Sequence, residues 1–404
     1  MRRSLSVAAL ALGLAAPASL RAADPTVTSP GNVRFTKFAD SSFDSYTQNP
    51  SQATKDWMRA HYWRLVTYTP YFDSRLSWWP DAWVYKDLYA IYVDSSLASA
   101  HPEWILRDAS GAKLYIPWGC SGGTCPQYAA DIGNPDFRAY WLQEAATALT
   151  KGYRGLWVDD VNMLIERVSN GSGQPVVPRD PRTNAPMTQA DWRRYMAEFT
   201  EAIRARFPGK EIAHNALWFV GFSDPSVQRQ LLSADFLSLE RGVNDSGIVR
   251  GTGPYGFETL LALVEWMHQH GRAVFFQPSA TTDQGREYGL AAYFLVNPST
   301  DTIGNSAGGT PGDWWAGYDV SLGAATGSRY VWNGVFRRDF ERGIVLVNQP
   351  GSTQVTLQLG ASYLDVLGRE RTSVTLAGAQ GAVLRRSTTT STAPTLLDVV
   401  PVPD

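Results

Sequence analysis

The chain is predicted to be an α/β protein, a (β/α)8 TIM barrel followed by a small C-terminal antiparallel β domain. Short β-rich runs alternate with helical stretches from about Val33 to Asn297, as parallel strands joined by crossover helices do. Eight such units in roughly 260 residues match the usual size of a closed barrel. After about Gly327 no helical period remains, and short strands are separated by Gly, Pro and Asn turns. A doubly wound open sheet shares the alternation and is the competing architecture.

Residues 1–23 read as a signal peptide. Met1-Arg2-Arg3 is basic, Leu5 to Ala15 is apolar, and Ala16-Pro17-Ala18 and Arg21-Ala22-Ala23 offer small-residue cleavage sites. The apolar run is too short to span a bilayer, so no membrane insertion is expected after cleavage. The mature protein is expected to be periplasmic or secreted and monomeric. Losing three Arg and no acid takes its net charge from −2 to −5.

The barrel is assigned to residues 24–326. Its strands are expected at Val33–Phe38, Leu65–Thr69, Leu88–Asp94, Gly155–Asp159, Ile212–Asn215, Phe236–Glu240, Val274–Gln277 and Ala292–Asn297. Asn134 caps a helix opened by Pro135, with Phe137, Tyr140, Trp141, Ala145 and Ala148 on one stripe. Thr188 to Asp191 resembles a capping box before Trp192, Tyr195, Phe199 and Ile203, and a third helix runs from Phe257 to His270 and stops at Gly271. A β-sandwich-like domain is expected at 327–386, and 387–404 reads as a low-complexity tail.

Composition narrows the function. Lys+Arg is 36 against Asp+Glu 38, which leaves no electrostatic footprint for nucleic acid. With 5 His and 2 Cys, zinc fingers, iron–sulfur sites and multi-disulfide scaffolds are excluded. No metal site and no organic cofactor are expected. In an oxidising compartment Cys120 and Cys125 are expected to close their glycine-rich loop as one disulfide. That loop also spells Gly-x-Ser-x-Gly from Gly119 to Gly123, but no strand precedes it and no helix follows, so Ser121 is a loop residue. Gly251 to Gly256 fits G-x-G-x-x-G without a strand leading into it. His214 sits at a strand end without a second residue at ligand spacing, so a hydrogen-bonding role is expected.

Barrel chemistry sits at the C-terminal ends of the strands. The expected strands end in Asp94, Asp159-Asp160, His214-Asn215, Glu240, Gln277 and Asn297. Acids and amides in that place suit a pocket that hydrogen-bonds many hydroxyl groups. Strand alternation turns Gly155, Trp157 and Asp159 inward, with Ser238 and Glu240. Two inward carboxylates are what glycosidic cleavage requires: one protonates the leaving oxygen while the other attacks, stabilises the cation or activates water. Glu240 is expected to be the acid, its proton held by burial, and Asp159 its partner, with Asp160 the alternative on that strand. Asp160, Asp94, Asn215, Gln277 and Asn297 are expected to orient sugar hydroxyls. Of the 15 Trp, those in loops, namely Trp63, Trp78, Trp79, Trp118, Trp218, Trp314 and Trp315, either stack on sugar rings or fill the core.

Three stretches carry a family resemblance: His101-Pro-Glu-Trp-Ile-Leu-Arg-Asp108 before Gly111, Asp131-Ile-Gly-Asn-Pro-Asp-Phe-Arg138, and Gly152-Tyr-Arg-Gly-Leu-Trp-Val-Asp-Asp-Val-Asn162. Together they resemble glycoside hydrolases of the α-galactosidase superfamily, in particular its hypothetical glycosyl hydrolase families and, more distantly, endo-α-1,4-polygalactosaminidases. The resemblance covers most of residues 33–300. It implies that Asp159 is the catalytic Asp of the fourth strand and Glu240 the carboxylate of the sixth. It also implies hydrolysis of a glycosidic bond, α-linkages included, in an exported poly- or oligosaccharide. A non-catalytic polysaccharide-binding or assembly protein on the same scaffold is the alternative.

Overall fold

A computed structural model describes residues 28–387. The expected signal peptide, and the expected tail from residue 388 onward, lie outside the described residues. Ten strands precede the C-terminal sheet: β1 (Phe35–Ala39), β2 (Tyr62–Thr67), β3 (Ala82–Asp87), β4 (Ala90–Tyr92), β5 (Gln127–Ala129), β6 (Gly155–Asp159), β7 (Glu211–Asn215), β8 (Phe236–Arg241), β9 (Ala273–Pro278) and β10 (Thr302–Ile303). Eight of them close into a barrel in the order β1-β10-β9-β8-β7-β6-β3-β2, all pairs parallel. The helices are α1 (Asp44–Thr47), α2 (Gln52–His61), α3 (Ser96–Ala100), α4 (Pro135–Leu149), α5 (Gln189–Arg206), α6 (Pro225–Leu232), α7 (Phe257–Gln269) and α8 (Asp283–Val296). The expected caps form. The Asn134 side chain accepts the Asp136 and Phe137 N–H groups, and Thr188 and Asp191 make a reciprocal capping box.

Aromatic side chains fill the barrel axis. Trp83, Trp157, Phe236 and Phe275 are buried there with Val66, Ala213 and Ala273. Below them β6 and β7 run so close that a Cβ at Gly155 would collide with the Glu211 carbonyl. The Glu211 carboxylate accepts Arg64 Nε at 2.9 Å, Arg64 Nη2 at 2.8 Å and Trp83 Nε1 at 2.7 Å. Burial pushes this carboxyl up, but those hydrogen bonds outweigh it and hold it below its ordinary range.

Two expected strands are corrected. The third barrel strand is β3; the segment expected there supplies β4, which pairs antiparallel with β5 outside the barrel. The run from Asp81 to Asp94 is β-prone throughout, and periodicity does not separate its two strands. The segment expected as the eighth strand is the end of α8, and the strand itself is the two-residue β10. All nine residues from Tyr288 to Val296 are buried, so this helix shows the continuous apolar run of a buried strand and no amphipathic stripe.

The cause is the C-terminal sheet packed on the outer side of α8. Six strands, β11 (Tyr330–Trp332), β12 (Val335–Phe340), β13 (Gly343–Asn348), β14 (Val355–Leu364), β15 (Glu370–Leu376) and β16 (Gln380–Arg386), form one sheet in the order β11-β12-β13-β16-β14-β15. This single sheet replaces the two layers of the expected sandwich, because β14 shifts register between Gln358 and Tyr363 and pairs with both β15 and β16. Val345, Val347 and Val383 belong to the barrel's own core cluster. Ile344, Leu346, Leu357, Leu359, Leu376 and Leu384 form a second one. Leu357 is 2% exposed. Leu357→Ala is expected to lower stability by about 2–5 kcal/mol, the usual result of deleting a buried leucine; urea unfolding would measure it, and a change below ~1 kcal/mol would show that the cluster carries no stability.

Candidate active site

The C-terminal ends of the barrel strands open into a cleft of about 650 Å³. Asp87 from β3, Asp159 and Asp160 from the end of β6, Asn215 from β7, Glu240 from β8 and Gln277 from β9 all line it. Asp159 is held from three sides. Tyr85 Oη donates to Oδ2 at 2.6 Å, while Asn215 Nδ2 at 2.8 Å and the Asp160 N–H at 2.9 Å donate to Oδ1. Asn215 Nδ2 also reaches Glu240 Oε2 at 3.4 Å. One amide group thus bridges the two expected carboxylates, and their bridged oxygens stand no farther apart than the sum of those two bonds.

Each acid is followed by a residue in the left-handed region, Asp160 at φ 55° and Arg241 at φ 64°. A non-glycine residue there costs of order 1–3 kcal/mol and persists only where its surroundings impose it. The sharp turn lets the neighbours Asp159 and Asp160 both face the cleft. Asp160 Oδ1 accepts Asn162 Nδ2 at 2.8 Å. Burial and then the Asp159 charge push the Asp160 carboxyl up to about 7.

Asn215, Gln277, Asp160 and Trp118 all reach the cleft with the two acids. Glu240 is exposed, so burial is not what would hold a proton on it. Asp94 and Asn297 do not reach the cleft. Asp94 is an exposed residue in the turn after β4, because that strand left the barrel. Asn297 is fully buried beyond α8, donates to the Pro30 carbonyl and the Tyr293 hydroxyl, and accepts from the Ser299 and Asp301 N–H groups. It ties the entry to β10 at the far end of the barrel. His214 points away from the axis onto α6, where Nδ1 meets Gln230 Nε2 at 3.1 Å.

Aromatic walls flank the acids. Trp118, 63% exposed, and Tyr92, 51% exposed, stand on one side, and Trp218 and Phe219 also line the cleft. Trp79 and Trp315 are core, and Trp314 packs on Phe35 with ring centroids 4.9 Å apart. Tyr85 and Asp87 were not among the expected site residues. With the third strand placed at Ala82–Asp87, alternation turns Tyr85 and Asp87 inward beside Asp159, so the signal was present and one strand out of place. Two buried polar atoms in the lining, Trp157 Nε1 and Gln277 Oε1, have no hydrogen-bond partner among the described residues.

Residues 61–220 match the family model of hypothetical glycosyl hydrolase family 15. The match spans Asp87, Asp159, Asp160 and Asn215 and stops before Glu240. No curated protein matches the chain. Solved structures with similarity include the glycoside hydrolase domain of PelA from Pseudomonas aeruginosa, at 16% identity over 68% of this chain and 95% of that one, with a TM-score of 0.41. Another is the maltogenic α-amylase AmyB from Thermotoga neapolitana, at 10% identity over 87% and 98%, with a TM-score of 0.49.

Cys120 and Cys125 are joined by a disulfide in the loop that follows Trp118. The loop leans on a neighbouring turn: a Cβ at Gly171 would collide with the Gly123 carbonyl, and one at Gly173 would stand 3.4 Å from Cys120 Sγ. Thiol titration of the denatured, unreduced protein is expected to find no free thiol. Two titratable thiols would show the loop to be open.

Proposed function

We propose that the chain is an exported glycoside hydrolase that cleaves a poly- or oligosaccharide with Asp159 as nucleophile and Glu240 as acid and base. The observation that carries this reading is the Asn215 amide, which sets both carboxylates side by side over an aromatic-walled cleft. The family match over residues 61–220 supports it from the sequence side. Asp159 suits the nucleophile, because three donors fix the direction of its oxygens. Glu240 suits the acid, because its exposed carboxyl can reach an oxygen leaving from the open side of the cleft.

In the first step Asp159 bonds to the anomeric carbon as Glu240 gives its proton to the departing glycosidic oxygen. In the second step Glu240 takes a proton from water, the water oxygen bonds to the anomeric carbon, and Asp159 leaves as a carboxylate. The shared Asn215 amide keeps one oxygen of each carboxylate close together, which favours the roughly 5–5.5 Å spacing of retaining enzymes over the wider spacing that admits a water for inversion. Trp157 Nε1 and Gln277 Oε1, a free donor and a free acceptor, suit a hydroxyl-rich ligand.

Asp159→Asn and Glu240→Gln are each expected to lower kcat at least ~100-fold with little change in melting temperature, the range for losing acid–base assistance. Reducing-end release from a panel of bacterial exopolysaccharides supplies the assay, and NMR of the first-formed product is expected to show retained anomeric configuration. Binding of the same polymers without release would replace the enzyme by a binding protein. Near-normal turnover in either variant would remove that residue from the mechanism.

A further inference from the structure

The floor of the cleft holds a third carboxylate that the two-step hydrolysis does not use. Asp87 ends β3, and strand pairing sets it directly beside Asp159. Its Oδ1 accepts the N–H groups of Tyr89 at 3.1 Å and Ala90 at 2.8 Å. Its carboxyl also lies within hydrogen-bonding reach of that of Asp160, which lines the same cleft. Ionised carboxylates only accept, so this contact requires a proton on one of the two. Tyr89 and Ala90 occupy Asp87 Oδ1 and Asn162 occupies Asp160 Oδ1, so the proton lies between the two remaining oxygens.

We propose that Asp87 is a positioning residue that stays protonated, donates to Asp160, and so fixes the backbone N–H that Asp160 presents to Asp159. The role rests on reading Asp159 as the catalytic carboxylate. It gives the left-handed turn at Asp160 its restraint: one side chain below holds the residue whose amide holds the nucleophile. The charged and titratable groups interacting with the pair are Asp159, Tyr85, Tyr89, Arg167 and, from the adjacent position on β3, Lys86. Burial, followed by the charges of Asp160 and Asp159, raises the Asp87 carboxyl well above its ordinary value. The pull of Arg167 on Asp160 opposes the rise without cancelling it.

Asparagine is the neutral stand-in for a protonated Asp87. Its Oδ1 can accept from Tyr89 and Ala90 while its Nδ2 donates to Asp160; alanine does neither. The first measurement needs no substrate. The unfolded chain releases the Asp87 proton above about pH 4, whereas the folded protein keeps it, so folding takes up a proton and stability falls as pH rises through that range. Asp87→Asn takes up none. Melting temperatures of the two full-length proteins between about pH 4 and pH 8 are expected to diverge in favour of the variant as pH rises. A difference that stays constant overturns the proposal.

The second measurement is kcat from reducing-end release. Asp87→Ala is expected to lose up to about 100-fold, the scale of a misplaced catalytic group, and Asp87→Asn to stand about tenfold or more above it. Equal kcat in the two variants overturns the positioning role. Asp159→Asn, assayed alongside, separates the two readings: full activity there would remove the hydrolytic role of Asp159, while the melting series would still report on the Asp87 proton.

Discussion

Register decides this site. Parallel pairing aligns Asp87 with Asp159 and Glu240 with Gln277, and a slip of one residue in any of these strands would turn its polar end out of the cleft and its aliphatic layer into the barrel. The restraint on register lies at the opposite end of the barrel. There Gly155 admits the Glu211 carbonyl against β6, and the Glu211 side chain gathers Arg64 of β2 and Trp83 of β3. One carboxylate therefore ties three strands below the core so that other carboxylates can meet above it.

Most of this architecture is legible in the residues. Strands with clear alternation, such as Gly155–Asp159 and Phe236–Arg241, announce both their span and their inward acids. The helices with side-chain caps are equally plain. The two misplaced strands share a physical cause: local pattern carries no information about what lies on the far side of an element. Tyr288 to Val296 is apolar on every face because the C-terminal sheet covers the face that a barrel helix usually gives to water. Between Asp81 and Asp94 two strands are separated only by the apolar Leu88 and Tyr89, and only barrel closure decides which belongs to the sheet.

The site shows the same division. Asp159, Glu240 and Asn215 are readable because they close strands whose alternation is intact. Tyr85 and Asp87 disappear with the displaced third strand, and Asp94 and Asn297 are false by the same two displacements. The left-handed turns at Asp160 and Arg241 carry no glycine to announce them. Aromatic content alone does not separate the exposed Trp118 from Trp79 in the core, since large rings fill a barrel as well as they meet a ligand.

The two-residue β10 has a consequence for how the barrel breathes. The last seam is thin: β10 meets β1 through Phe35 and Ile303, whereas β8 and β9 share six aligned pairs. Local opening follows the least-protected hydrogen bonds, so amide exchange should enter the barrel at this seam first. Arg338 crosses from the C-terminal sheet to the carbonyls of Phe294 and Asn297 at 3.0 and 2.8 Å, just where α8 hands over to β10. The appended sheet thereby acts as a splint, closing a cylinder whose eighth stave is too short to close it alone.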